Sequence, residues 1–340
     1  MHIAVDAMGT DTYPVNDIAG GILAANEFKD TIVFVGDKNV IQAELDKHDT
    51  SNCKIEILHA AEHIDMDDKP SDVLNSKKHS SMHVALNAVK NGDVDAFVTM
   101  GNTGAAHAIA TLKTVRRISG VKRPVLTALF PVYDHKMIFL DVGANADAKP
   151  EWMQQFAVMG SIYAERVLKY SSPKVALLSN GEEDTKGNNL IRDTASILNK
   201  TPVNFVGNIE PAELMTAKAD VILMDGFVGN IVLKMFEATA RYVGNLIRDE
   251  IQSGMVTSLG GLLARPAFNR IRQKVDTAEV GGAPLLGVNG VLIIGHGQNS
   301  AVGIKNAVKQ AHTAVESGVI ESIGDTIASL PKISQLEENK

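Results

Sequence analysis

The chain has 340 residues, 45% of them hydrophobic, enough to bury a sizeable core in one large unit or two modest ones. Its net charge of −7 excludes general nucleic-acid binding, which needs a cationic face. Cys53, the single cysteine, excludes a disulfide framework and a cysteine-rich zinc site and fits a reducing cytoplasm; no apolar run is long enough to span a bilayer.

Ile3-Ala4-Val5 predicts a short buried strand that runs into the loop Asp6–Asp11, which holds two carboxylates and a glycine. Ile18, Ile22 and Ala25 recur at helical spacing over Ile18–Phe28. Ile32–Val35 reads as strand, Val40–Leu45 as helix and Lys54–Leu58 as strand. This alternation predicts an α/β fold with a mostly parallel sheet and helices on both faces. Such sheets bind ligands outside the carboxyl ends of their strands, so the loops that follow strands carry the chemistry.

His63–Lys78 reads as a surface loop, and His79 and His83, spaced i, i+4, as ordinary helix histidines. Ala96–Thr99 is a strand that leads through Gly101-Asn102-Thr103-Gly104 into a helix from Ala106 to Val115. Val125–Phe130 predicts a strand ending at Pro131, and Met137–Leu140 another, running into Asp141–Pro150 before a helix over Trp152–Leu168. Val175–Leu178 then feeds the polar loop Ser179–Asn188 and an amphipathic helix over Leu190–Leu198. A helix that starts after such a loop offers free N–H groups to an anion, and Lys186 adds a mobile cation.

Asn204–Asn208 reads as strand, and Val221–Met224 as a strand running into Asp225–Asn230. A long helix follows, with Ile231, Met235, Ala238, Tyr242 and Leu246 on one stripe, broken at Ser253-Gly254. Val256–Leu263 is expected to be an apolar, glycine-rich tip bearing Leu259, Leu262 and Leu263, with a second helical segment starting at Pro266. Together 230–276 predict a helical hairpin that projects from the sheet and serves as a dimer contact, a membrane contact or both. Gly281–Gly287, including Gly282, reads as a glycine loop, Val291–Ile294 as a strand ending in Gly295–Ser300, and Ala301–Val315 as a helix. The expected organisation is a single α/β unit over 1–330 with a deep cleft, and a frayed tail at 331–340.

Several strands thus end in Gly, Asn and Asp before a helix, which suits a cleft rich in backbone donors and amides. No serine sits in a G-x-S-x-G elbow and Cys53 is not in a glycine loop, so no covalent nucleophile is indicated. No complete G-x-G-x-x-G opens a helix, so neither a dinucleotide nor another cofactor is expected. Lys113, Arg116, Arg117 and Arg123 form a basic cluster in an otherwise acidic chain.

The stretches DAMGTD, GNTGA, LDVGANAD, GEEDTKGN, GNIEP, DGFVGNIVLK, GGAPLLGVNG and GHGQN stand in the order seen in bacterial phosphate acyltransferases of phospholipid synthesis, and the resemblance runs from residue 3 to about residue 315. It departs from the family pattern at Thr10, Met100, Gln298 and Asn299. The resemblance implies transfer of a fatty acyl group from acyl-acyl carrier protein to inorganic phosphate. It implies a fold similar to phosphotransacetylases and isopropylmalate dehydrogenases, a homodimer, and a cytosolic protein associated peripherally with the membrane. There a glycerol-3-phosphate acyltransferase would use the acyl phosphate. Phosphate attacks the thioester itself, so the protein has to hold two anions together. On that chemistry Lys186 is the expected cation, and Asn102, Thr103, Asn145, Asn188 and Asn230 are donors to phosphate or oxyanion, with Gly282 at the substrate. Asp225 would orient Lys186 or an amide, and His296 would protonate the thiolate or hydrogen-bond. The basic cluster is the expected dock for the acidic carrier protein.

Overall fold

The structure, a computed structural model, describes residues 1–275 and 281–330; the predicted tail at 331–340 and the predicted end of the hairpin at 276 lie outside them. Apolar residues alternate along the strands and so build two cores. In β1 (His2–Asp6), Ile3 and Val5 face one layer and Ala4 the other; in β4 (Ala96–Thr99), Ala96 and Val98 join the first layer and Phe97 the second. The same split runs through β2 (Thr31–Gly36), β6 (His135–Leu140), β7 (Lys174–Leu178), β9 (Val221–Leu223) and β11 (Val291–Ile294).

Helices cover both faces of this one sheet. The first core is closed by α1 (Val15–Phe28), α2 (Lys38–Leu45), α6 (Pro150–Arg166), α7 (Asn189–Leu198), α10 (Ala301–Glu316) and α11 (Val319–Ser329). Closing the second are α3 (Pro70–Val73), α4 (Ser81–Asn91), α5 (Thr103–Leu112) and the first turns of α8 (Gly226–Gln252).

With β3 (Lys54–His59), β5 (Val125–Val132), β8 (Asn204–Ile209) and β10 (Ala283–Leu286), the strand order is β3-β2-β1-β4-β11-β10-β5-β6-β9-β7-β8. The first five are parallel to one another, as are the last four. Between them β10 is antiparallel to β11 and to β5, and β5 to β6. Three reversals leave the last four strands running opposite to the first five. The exit loops therefore open on two opposite edges of the sheet. This corrects the expectation that all of them share one edge.

The reversal has a local cause. β5 runs through Pro131 to Val132, and β6 starts at His135, so Tyr133 and Asp134 alone make the turn. A turn of two residues can only join antiparallel strands, because a parallel pair needs a crossover of a dozen residues or more. Pro131 is tolerated because the other neighbour, β10, pairs only with Val125 and Leu126.

The hairpin also differs from expectation. α9 (Met255–Val275) begins at the turn itself and continues through Pro266, so Val256–Leu263 forms its first turns rather than a loop. Gly260 and Gly261 disfavour a helix in isolation. At Gly261, however, a Cβ would lie 2.2 Å from Ile251 Cγ2, so the glycine allows α9 to approach α8 closely. No described helix is long and apolar enough to cross a membrane.

Candidate functional site

β6, β9 and β7 are parallel neighbours, so their exit loops meet at one edge. The first two are tied together just beyond the ladder. Met224 N–H donates to the Leu140 carbonyl at 2.6 Å, and Asp141 N–H donates to the Met224 carbonyl at 2.8 Å. The buried Asp141 carboxylate then folds its own loop. It accepts from the N–H groups of Gly143 (3.0 Å), Ala144 (2.9 Å) and Asn145 (2.7 Å), and from the Asn145 side-chain amide (2.8 Å). Burial pushes its pKa above the ordinary value, against the pull of those donors. Asn145 also donates to the Pro124 carbonyl at 2.9 Å, so its amide braces the loop and is not free to bind a ligand.

α8 begins on top of this loop. Asp225 caps it by accepting from Val228 N–H at 2.8 Å, and Gly226 N–H donates to the Asn145 carbonyl at 2.8 Å. Asp225 is therefore committed to the helix, and no bond links it to Lys186. Phe227 N–H has no acceptor among the described residues, and it stands at the positive end of a 27-residue helix. One turn on, Asn230 is half-buried beside Gly143, its side chain free of hydrogen bonds among the described residues.

The β7 loop completes this edge. The Asn180 side chain accepts from Gly187 N–H at 2.9 Å, and Asn188 caps α7 by accepting from Ile191 N–H at 3.0 Å. That leaves the Asn188 amide donors free among the described residues. Glu182 is paired with Lys218 at 3.3 Å. Lys186 lays its stem over Gly181, where a Cβ would stand 2.6 Å from Lys186 Cγ. Its ammonium is exposed and makes no ion pair among the described residues. Lys186, Asn188, Asn230 and the Phe227 N–H thus form one donor-rich edge suited to an oxyanion.

Asn102, Thr103, Gly282 and His296 lie at the opposite edge, with the exits of β4 and β11 and the start of β10. Asn102 is fully used there. It caps α5 by accepting from Ala105 N–H and donates to the carbonyls of Asp65, Met66 and Asp68 at 2.9–3.2 Å. Thr103 is exposed at the first position of α5. Gly282 admits close packing, since a Cβ there would come within 2.7 Å of Ile293 Cγ2. His296 is exposed and accepts from Gln298 N–H. Strand polarity therefore places His296 at the other edge of the sheet from Lys186.

α5 links the edges along the sheet face. It starts at the Asn102 loop and carries His107, a residue that sequence reasoning passed over. Burial lowers the His107 pKa, the Asp141 charge opposes this, and Arg123 adds to it. The ring therefore lies within electrostatic reach of the Asp141 loop, and its buried Nε2 has no partner among the described residues. The sequence signal was its position one turn into the helix that follows GNTGA. Arg123 rests its guanidinium 4.9 Å from the Trp152 ring centre, and Lys149 lies 5.7 Å from the same ring.

The remaining basic residues are exposed. Lys113 donates to Asn75 at 2.9 Å, Arg117 donates to the Lys122 carbonyl, and Arg116 sits at φ +63°. On the hairpin, Leu259, Leu262 and Leu263 are 62%, 63% and 78% exposed, an apolar surface left open in the single chain. Among the described residues, no group of three or more His, Cys, Asp or Glu side chains could hold a metal ion.

A family model described as Fatty acid synthesis protein matches residues 1–322. The chain is 43% identical over 325 residues to the phosphate acyltransferase of Geobacter sulfurreducens, covering 96% of this chain and 94% of that protein. It is similarly 43% identical over 328 residues to the phosphate acyltransferase of Heliobacterium modesticaldum, covering 96% and 98%. In fold it is similar to the EutD phosphotransacetylase of Staphylococcus aureus, with a TM-score of 0.58 at 15% identity over 93% of this chain and 94% of that one. A phosphotransacetylase of Streptococcus pyogenes gives a TM-score of 0.57 at 16% identity over the same shares, 93% and 94%. The chain belongs to the fatty acid synthesis protein family and, with these relatives, to the phosphate acyltransferases, which are transferases.

Proposed function

We propose that the acyl donor is a fatty acyl thioester on acyl carrier protein and that inorganic phosphate, seated at the Lys186 edge, attacks its carbonyl directly. One observation carries this reading: Lys186, Asn188, Asn230 and the Phe227 N–H gather donors free among the described residues on adjacent strand exits, with no hydroxyl or thiol among them. A phosphate oxygen forms the new bond to the acyl carbon, the carbon–sulfur bond breaks, and the thiolate leaves. Lys186 offsets the charge of phosphate and oxyanion, and the amides of Asn188 and Asn230 donate to them. The long arm of the donor runs along α5 between the two edges, past His107. In this reading Asn102, Thr103, Gly282 and His296 shape the far end of that track, and His296 performs no proton transfer at the thioester. A free thiol ionises at pKa about 8.5, so the leaving group needs little acid assistance.

The remaining roles follow from surface chemistry. The exposed cations Lys113, Arg116, Arg117 and Arg123 suit an acidic carrier protein. The apolar faces of α8 and α9 suit a second copy along the shafts and a membrane surface near the turn. That would make the chain a cytoplasmic homodimer held peripherally at the bilayer, where a membrane glycerol-3-phosphate acyltransferase consumes the acyl phosphate. The test is incubation with acyl-acyl carrier protein and labelled phosphate. Hydroxylamine-sensitive labelled product is expected, whereas product from acyl-coenzyme A alone would replace the carrier protein as donor.

A further inference from the structure

On the second face of the sheet, β10 and β5 lie between the strands that α5 and α8 cover. One row of side chains across four strands shows what this leaves. Ile294 on β11 pairs with Ala283 on β10, and Ala128 on β5 pairs with Phe139 on β6. Two residues beyond the Leu285–Leu126 pair, Ala283 and Ala128 come level with each other. The outer two, Ile294 and Phe139, are large and buried, whereas both alanines are half-exposed. Half-exposed alanines in the middle of an 11-stranded sheet mark a stretch that neither helix covers. The result is a trough floored by Ala283 and Ala128. One wall is α5, and the other is Val232 and Phe236 of α8, with Phe236 held edge-on against Phe130 at 4.3 Å.

The trough starts at the Lys186 edge. Thr127, next to Ala128, pairs with Leu140, the last residue of β6. The α5 wall carries His107. The charges of Asp141, just past β6, and of Arg123, just ahead of β5, both reach its ring, so the ring is turned toward the strands under the trough. Its Nε2 is sealed and has no partner among the described residues, while its Nδ1 is not sealed and makes no hydrogen bond among them. Burial, against the pull of Asp141, lowers the ring's pKa and favours its neutral form. A sealed N–H without an acceptor is rarer than a sealed acceptor without a donor. The neutral ring therefore carries its hydrogen on the open nitrogen, Nδ1.

Floor and walls define the occupant. Ala128, Ala283, Val232, Phe236 and neutral His107 carry no charge, which disfavours an anion. The trough is open along its length, so a plain alkyl chain would keep one side in water and leave the Nδ1–H unpaired. A neutral chain that carries amides meets both conditions. The thioester on a carrier protein hangs from such a chain, an arm with two amides. We propose that the donor's amide-bearing arm lies in this trough, Ala128 giving it depth and His107 Nδ1–H bonding to an amide carbonyl. The place of the thioester rests on the acyl-transfer reading above; the selection of the arm by Ala128 and His107 goes beyond it.

The test compares two donors of one acyl group with full-length protein and inorganic phosphate: octanoyl pantetheine, which has the arm, and the S-ethyl thioester of octanoate, which lacks it. The quantity read is the arm's advantage, the ratio of the two kcat/KM values. Ala128→Leu fills the trough and should cut this advantage about tenfold or more, through KM for the pantetheine donor. His107→Phe keeps the ring's bulk without its nitrogens and should cut it severalfold, and His107→Asn, whose amide nitrogen can stand near the place of Nδ1, should recover part. Circular dichroism checks that each variant is folded. An advantage that Ala128→Leu and His107→Phe both leave unchanged overturns the proposal, as does a parent that shows no advantage. If the parent turns over neither donor, the acyl-transfer reading fails, and calorimetry with the unreactive thioether S-octyl pantetheine still decides the trough. Binding to the parent that Ala128→Leu weakens about tenfold supports it, and no binding, or binding that the variant leaves unchanged, overturns it.

Discussion

Gly229 meets the Asp141 carbonyl so closely that a Cβ at this position would stand 1.8 Å from the oxygen. This contact fixes the start of α8 against the exit of β6, and with it the position of Asn230. Gly229→Ala is expected to push the two elements apart, destabilising the protein by about 3 kcal/mol or more. Urea unfolding would measure the loss, and turnover should fall even under conditions where the variant stays folded.

Lys186 projects from a loop whose own bonds do not involve its ammonium. Lys186→Ala should therefore leave stability nearly unchanged and lower kcat roughly 100-fold or more, the usual cost of losing a group that stabilises developing charge. Lys186→Arg should recover part of the rate. Turnover of the alanine variant close to that of the parent would remove Lys186 from the chemistry.

Thr10 donates its hydroxyl hydrogen to Asp17 across 2.5 Å, inside the junction between the β1 loop and α1. Burial raises the Asp17 pKa from 3.8 to about 7; the Thr10 bond opposes the rise and Asp6 reinforces it. The folded state thus keeps a proton that the unfolded chain has released between about pH 4 and about pH 7. The stabilisation is whole below pH 4, declines as pH rises through that window, and changes no further above it. At one pKa unit per 1.36 kcal/mol it amounts to at most about 4 kcal/mol. Asp17→Asn, which keeps an acceptor for Thr10 without a charge, should flatten this slope and melt higher than the parent at pH 8. Parallel melting curves for the two proteins from pH 4 to pH 8 would refute the shift.

Leu259 lies on the face that α9 turns to solvent in the single chain, 62% exposed. Leu259→Glu should release the protein from anionic vesicles in a flotation assay while leaving its mass in solution unchanged. A fall in mass in solution instead would assign this part of α9 to a contact between copies of the chain.

Arg116 and Arg117 are exposed beside the end of α5. Reversing both to Glu should raise KM for the carrier-protein substrate severalfold and leave the phosphate dependence alone. An unchanged KM would move the dock elsewhere.

The sequence signals were strongest where one strand and one loop act locally. The apolar runs ending at Asp6, Thr99, Asp141, Leu178 and Met224 gave the strands, and their alternation gave the two covered faces. Strand direction was harder to read because it depends on partners far away in the chain. The Tyr133-Asp134 turn did carry the information, yet Pro131 suggested a strand end and hid the hairpin. β10 was obscured for a related reason: Gly281, Gly282 and Pro284 read as a loop, although Gly282 and Pro284 lie against β11. Asn102 and Asn145 show a limit of residue-type reasoning. An amide in an exit loop looks the same in sequence whether it faces a ligand or braces the backbone, and here both brace. His107 was overlooked because a lone histidine in an apolar helix carries no motif.

β10 and β11 come from the last fifth of the sequence but stand in the middle of the sheet, between strands made far earlier. During synthesis, β4 and β5 must each wait with a bare edge until residues 283–294 have left the ribosome. Neither half of the sheet can close by itself, which makes assembly slow and exposes long-lived edges to aggregation. A stop codon between the end of β9 at Leu223 and residue 294 would leave two unfinished pieces rather than a shorter enzyme.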